Sequence, residues 1–276
     1  MMLFAAAIAA IFVIAPQARA NGANAYQERG MAHFHRGDFD LAIADFTRAI
    51  RITPGFVSAF FLRGLAHSSM GSSDLAIADF AQAIRIDPNH ASAFFYRGLE
   101  HSRRRDLDLA IADFTQAIRI DPNLADAFFY RGGAHFNRGY IDLAVADWDV
   151  VIGINPNHAS AFFNRGVAHG GRGHFDLAIA DYTQAIRASP NFVGAFFNRA
   201  IAHYNMGSRA LAIADYTQVV RLEPNNTRAL FYRGIAHFGG GDFDDAIADW
   251  EAVLRISPDH APARSNIATV RRVRGW

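Results

Sequence analysis

The sequence predicts an all-α solenoid of seven helix–turn–helix repeats closed by a C-terminal capping helix. Three observations predict it. Seven prolines, Pro54, Pro88, Pro122, Pro156, Pro190, Pro224 and Pro258, recur every 34 residues. Each interval holds two apolar stripes of helical period separated by a turn. A small residue returns at one place in every first stripe: Gly30, Gly64, Gly98, Gly132, Gly166, Ala200 and Gly234. Counting back from the prolines gives contiguous units at 23–56, 57–90, 91–124, 125–158, 159–192, 193–226 and 227–260, without insertion or deletion. A period of this kind marks units that bury their apolar faces by stacking on their neighbours.

Residues 1–20 precede the repeats and differ from them. Leu3 to Ala15 is an unbroken apolar run, followed by Ala18-Arg19-Ala20. A short apolar core ending in A-x-A predicts a secretory signal peptide cleaved after Ala20. No Arg or Lys precedes the core, which departs from that template. The run falls short of the roughly 20 residues a membrane span needs. A periplasmic or secreted bacterial location is expected if the segment is cleaved, and a cytoplasmic or membrane-anchored one otherwise. No stable span is expected after cleavage.

Composition removes several chemistries. There is no cysteine and no lysine, so all 27 basic side chains are arginine. Thiolate metal sites, cysteine nucleophiles, Schiff bases and the P-loop lysine are thereby excluded. The formal charge of +1 offers no electrostatic footprint for nucleic acid.

Within the first unit, Tyr26, Gly30, His33 and Gly37 follow helical spacing. Gly37 ends that helix, and Asp38 is placed to cap the next. Phe39, Ala42, Ile43, Phe46, Ala49 and Ile50 form the apolar face of the second helix. Thr53-Pro54-Gly55 then breaks the chain. A glycine inside a helix costs about 1 kcal/mol against alanine, so the small-residue column implies close helix approach, here toward the alanine column at Ala42, Ala76 and Ala110. After the last unit, Ile267, Val270 and Val273 lie among arginines in 261–276, which predicts a capping helix; a basic membrane-contact tail is the sharper alternative.

Gly30, Gly37, Phe39, Ala42, Phe46, Ala49 and Pro54 together resemble the signature of the tetratricopeptide repeat (TPR), and the pattern returns in each unit. The resemblance implies a right-handed superhelix whose first helices line a concave groove for a peptide or partner protein.

Three polar columns depart from that family pattern. Arginine recurs from Arg29 to Arg233, histidine from His33 to His237 and aspartate from Asp45 to Asp249. Where the arginine and histidine stand, the family commonly has apolar and aromatic residues. In the central units the columns read Arg97, His101 and Asp113, then Arg131, His135 and Asp147. Arg and His lie four apart on one helix face, with Asp on the second helix. A structural polar seam is expected, in which each Asp accepts from an Arg of the same or the next unit, and from a His. Breaking a buried pair would cost about 3–5 kcal/mol. No metal is expected, because ligands sit about 2 Å from an ion and neighbouring helices are about 8–10 Å apart. Seven histidines charging together near pH 6 offer a pH response.

The stripe beside the core reads as the partner-binding groove, because exposed apolar surface with aromatic anchors marks binding sites. Its expected residues are Phe95, Tyr96, Phe129, Tyr130, Phe163, Asn164, Phe197, Asn198, Phe231 and Tyr232, with Phe136, Gly170 and Tyr204 a turn further on. One phenylalanine of each pair, such as Phe94-Phe95, is expected in the core and the other in the groove. The family resemblance implies that Asn164 and Asn198 hold a bound peptide's backbone. Gly170, between Phe136 and Tyr204 in its column, leaves a gap able to receive a side chain. Arg103-Arg104-Arg105 reads as solvated surface or a contact for an acidic partner.

The functional expectation is a non-catalytic protein–protein interaction scaffold without cofactors, binding a peptide or partner segment in the groove. The alternative is a self-assembling structural module of the cell envelope, with homo-oligomers. No nucleophile elbow, H-E-x-x-H or Gly-rich phosphate loop favours an enzyme.

Overall fold

The computed structural model describes residues 21–274; the expected signal peptide, and the last two residues of the expected capping segment, lie outside them. All secondary structure among the described residues is α-helical. Residues up to Gly139 and residues from Tyr140 onward form two compact units. In the first unit, α1 covers 21–36. It is followed by α2 (Phe39–Ile52), α3 (Val57–Ser69), α4 (Ser73–Ile86), α5 (Ala91–Arg103), α6 (Leu107–Ile120) and α7 (Ala125–Asn137). The second holds α8 (Ile141–Ile154), α9 (Ala159–Gly171), α10 (Phe175–Ala188), α11 (Val193–Asn205), α12 (Arg209–Leu222), α13 (Thr227–Gly240), α14 (Phe243–Ile256) and α15 (Ala261–Arg274). Odd-numbered helices to α13 are first helices of a repeat and even-numbered ones second helices.

From α2 to α7, and from α8 to α15, each helix packs on the next. First helices also touch first helices, α3 with α5, α5 with α7 and α9 with α11. The second helices carry the recurring core. Ala42, Phe46 and Ala49 are buried on α2, and Ala110, Phe114 and Ala117 at the same places on α6. Each buried aromatic removes enough apolar surface to be worth about 1.5–3 kcal/mol.

The glycine column has a different cause from the one expected. A Cβ on Gly98 would lie 2.8 Å from Cε1 of Phe114, and one on Gly64 2.7 Å from Cε1 of Phe80. On Gly166 and Gly234 it would strike the rings of Tyr182 and Trp250. The first helix therefore gives up a side chain to admit the large ring of its own second helix, rather than to meet the alanine column.

The turns follow from backbone geometry. Gly37 has φ +82°, and the Asp38 N–H donates to the His33 carbonyl at 3.0 Å, closing α1 in the left-handed conformation glycine tolerates best. Arg105 stands at the equivalent place in the third repeat with φ +64°. Asp38 makes no side-chain cap to α2; it accepts instead from Nε of Arg36 at 3.2 Å. Side-chain caps occur at first helices. Nδ1 of His90 accepts from the Ala93 N–H at 3.2 Å, Nδ1 of His158 from Ala161 at 3.1 Å and Oδ1 of Asn226 from Ala229 at 2.9 Å.

At the C-terminal end, Ile267 and Val270 of α15 are buried in one cluster with Trp250 and Val253 of α14. Val273, expected on the same face, is 65% exposed.

Candidate functional site

The polar seam is a repeated, two-pronged arginine–aspartate clamp. Arg97 donates from Nε to Oδ2 of Asp113 at 2.8 Å and from Nη2 to Oδ1 at 2.7 Å. The same pair of bonds joins Arg63 to Asp79, Arg165 to Asp181, Arg199 to Asp215 and Arg233 to Asp249. The partners lie 16 residues apart, so each pair sits within one repeat. Asp113 is buried, and two parallel charge-assisted bonds offset its desolvation. Where the residue three positions earlier is aromatic the guanidinium also lies over its ring, as Arg97 does 5.5 Å above Phe94; in the seventh repeat that place is Leu230. Arg131 lies 5.4 Å above Phe128 and donates to Thr115 at 3.1 Å; His135 and Asp147 are buried.

A third prong was not foreseen. Nη1 of Arg63 donates to Thr47 Oγ1 of the preceding repeat at 3.0 Å, Arg199 to Thr183 at 3.0 Å, and Arg165 to Asp149 at 2.5 Å. The arginine thus bolts its own second helix to the preceding one. The signal in the sequence was an oxygen-bearing residue 16 positions before several of these arginines.

Histidine takes a smaller part than expected. Nε2 of His101 is 3.8 Å from Oδ2 of Asp113, and that of His67 is 3.8 Å from Asp79, beyond hydrogen-bond length. Burial holds His67, His101, His169 and His203 below the usual imidazole value, with the neighbouring arginine reinforcing and the aspartate opposing. No group of three or more potential metal ligands is found among the described residues.

The aromatic groove needs correction. Phe95 and Phe197 are buried. The Phe95 ring is 5.9 Å from that of Phe114 and 5.8 Å from that of Tyr130. Phe197 is 5.6 Å from Tyr216 and 6.0 Å from Tyr232. Half-buried Phe163 rests between Tyr182 and Phe192, at 5.9 and 4.8 Å, and Phe231 contacts Tyr232 and His260. Phe129 is half-buried beside Tyr130. This column fills the seam between successive repeats because its rings complete the packing of the second-helix aromatic. Both members of each phenylalanine pair therefore serve the interior, one under the arginine and one in the seam. Of the expected groove residues, Tyr130 and Tyr232 remain open, 43% and 40% exposed, with half-buried Tyr96, Phe136, Asn164, Asn198, Gly170 and Tyr204.

In the second unit Gly170 and Asn198 come together. They border a niche of about 340 Å³ whose other walls include Val167, Phe175, Tyr182 and Ile201. Near Gly170 the hydroxyl of Tyr182 would stand 3.5 Å from an added Cβ. Asn164 is not among the lining residues.

Sequence reading also passed over Glu100. It is buried where every other repeat has alanine (Ala32, Ala66, Ala134, Ala168, Ala202, Ala236). Its carboxylate accepts from Ser68 at 2.5 Å, from Ser73 at 2.7 Å and from Arg103. Arg104 pairs with Asp74 and Asp106. Two of the three clustered arginines are thus committed to the fold.

A tetratricopeptide-repeat profile matches residues 61–125, 97–159, 163–205 and 197–261, and a second matches 23–56. The chain belongs to the tetratricopeptide-repeat family. Its seven repeats follow the TPR pattern, with the arginine–aspartate clamp as its own variation. Among solved structures, the C-terminal part of a TPR repeat-containing protein from Cytophaga hutchinsonii is similar at TM-score 0.76 and 18% identity, over 87% of this chain and 98% of that one. YrrB, described as a TPR protein with an unusual peptide-binding site, is similar at TM-score 0.60 and 21% identity, over 67% and 95%. MamA from Desulfovibrio magneticus is similar at TM-score 0.58 and 19% identity, over 62% and 96%. At these identities the likeness is one of fold. No curated protein matches the chain. TPR repeats are interaction modules as a class, and no helix among the described residues is long and apolar enough to cross a membrane.

Proposed function

We propose that this TPR chain is a non-catalytic scaffold that holds an extended segment of a partner protein against its first helices. The observation that carries this reading is the niche beside Gly170 and Asn198, an apolar, polar-rimmed depression on the face where TPR repeats present their variable residues. Its volume falls in the lower part of the range for ligand sites, about 300–1,000 Å³. Exposed Tyr130 and Tyr232 supply further aromatic contact area on this face of their own units. YrrB, a fold relative with a peptide-binding site, supports peptide as the ligand class. The reading is tested by selecting random peptides against the full chain. Enriched peptides should lose at least about tenfold in affinity on Asn198→Ala. A library without binders would reject the proposal.

A second reading, self-association, is favoured by one observation. Leu41, Leu75 and Leu109 in the first unit, and Leu143, Leu177 and Leu211 in the second, are each more than half exposed at the same place on second helices. Light scattering across a concentration series separates the readings; a constant monomer mass rejects this one. We also propose, from the segment at 1–20, that the chain is exported. Recovery from the periplasm with Asn21 as first residue would support export, whereas cytoplasmic protein that retains Met1 would refute it.

A further inference from the structure

The repeats carry their own record of what fits the niche. Each repeat can form one between the end of its first helix, the start of its second, and the next first helix. In the first repeat the chain fills the place itself, with Phe34 against Phe39 at a ring separation of 5.4 Å. In the seventh Phe238 also lies against Phe243, at 5.5 Å, though it stays 37% exposed. In the sixth, Tyr204 packs onto the cluster around Tyr216. The second repeat uses polar groups, Ser68, Ser73 and the incoming Glu100. The fifth alone among these combines a phenylalanine at the start of its second helix, Phe175, and a tyrosine beneath, Tyr182, with no side chain at Gly170.

We infer that the niche at Gly170 receives a phenyl-ring side chain, phenylalanine or tyrosine, from a bound partner segment. This deepens the scaffold reading and rests on it. The guest ring takes the place that Phe34 and Phe238 take in their own repeats, packing edge-on against Phe175 and between Val167 and Ile201. Tyr182 is 4% exposed. Burial raises the pKa of this phenol, so its hydroxyl stays protonated and can donate to an oxygen on the guest. Asn198, on the rim, can bond the guest's backbone.

Gly170→Phe tests this directly, because it installs the chain's own plug. A Cβ there meets only ordinary contacts, 3.5 Å to the Tyr182 hydroxyl and 3.7 Å to Ala178 Cβ, and the sixth repeat shows that an aromatic fits over a tyrosine. Replacing a helical glycine should hold or raise the melting temperature, so lost binding cannot be ascribed to unfolding. Peptides selected on the wild-type chain should share one phenylalanine or tyrosine, lose at least about tenfold in affinity when it becomes alanine, and lose as much on G170F. Peptides that bind G170F undiminished, or tolerate alanine at every aromatic, would overturn the niche assignment and leave the scaffold reading standing. A second readout is independent of any library. N-acetyl-tyrosinamide and N-acetyl-phenylalaninamide at about 10 mM, enough to populate a millimolar site, should shift the amide resonances of Val167, Phe175 and Ile201 in the wild type but not in G170F. Unchanged spectra with both compounds would also overturn it, and comparison of the two shows whether the phenol hydroxyl contributes.

Discussion

At Gly98 two residue-scale effects of opposite sign meet. Helix propensity favours alanine there by about 1 kcal/mol. The Phe114 ring would stand 2.8 Å from the new Cβ, and forcing atoms into a packed core costs about 1–3 kcal/mol. The ring is fully buried and can yield only if its neighbours repack, as they have in the sixth repeat where Ala200 and Tyr216 are both buried; without that repacking the clash wins. Gly98→Ala is expected to lower the urea midpoint, and a raised midpoint would show that the ring shifts freely. Asp113→Ala tests the clamp. It leaves Arg97, only 22% exposed at its side chain, without its carboxylate. The expected loss is roughly 3 kcal/mol, the low end for a broken buried pair, read from the same denaturation curves. The spacing of these columns was legible in the sequence. Their pairing within one repeat was not, because a 16-residue separation along the chain and the distance to the next repeat look equally feasible until the helices are docked.

At the scale of the element, the histidines give first helices α3, α5, α9 and α11 a shared pH dependence. In the folded chain His67, His101, His169 and His203 bind protons less readily than the free value of 6.5. The unfolded chain therefore holds more protons as pH falls through that value, and stability falls with it. Melting temperature should be highest above about pH 7 and drop toward about pH 5. Replacing these four half-buried histidines with glutamine should flatten the curve; an unaltered slope would assign it to other groups. Helix positions and ends could be read from glycine, proline and the apolar period. The caps could not, since Asp38 looks like a better cap than His90 but is drawn away by Arg36 and His33.

At the scale of the whole molecule, stability in stacked repeats is approximately a sum of repeat and neighbour terms, so the cost of losing a repeat depends on the junction left behind. Deleting 91–124 brings Ser68 and Ser73 toward Ala134, which asks nothing of them. Deleting 57–90 brings buried Glu100 toward Phe34 and Phe39 and leaves it only Arg103. Both shortened chains should remain helical by circular dichroism. The 57–90 deletion should be the less stable by about 1–3 kcal/mol, the cost of an under-bonded buried polar group. Equal stabilities would mean that the Glu100 network contributes nothing.

By itself the sequence determined the helices, their number, their repeat period and the family, because a proline every 34 residues and helix-period stripes are local properties that survive without knowing what packs on what. It also marked Gly170 and Asn198 as departures from their columns. Only the tertiary structure decided that the phenylalanine column is interior, that the glycines make room for rings rather than for alanines, and that Gly170 opens a niche. Each of these turns on which surfaces the stacked hairpins press together, and a helical stripe of phenylalanines has the same pattern whether it faces water or the next repeat.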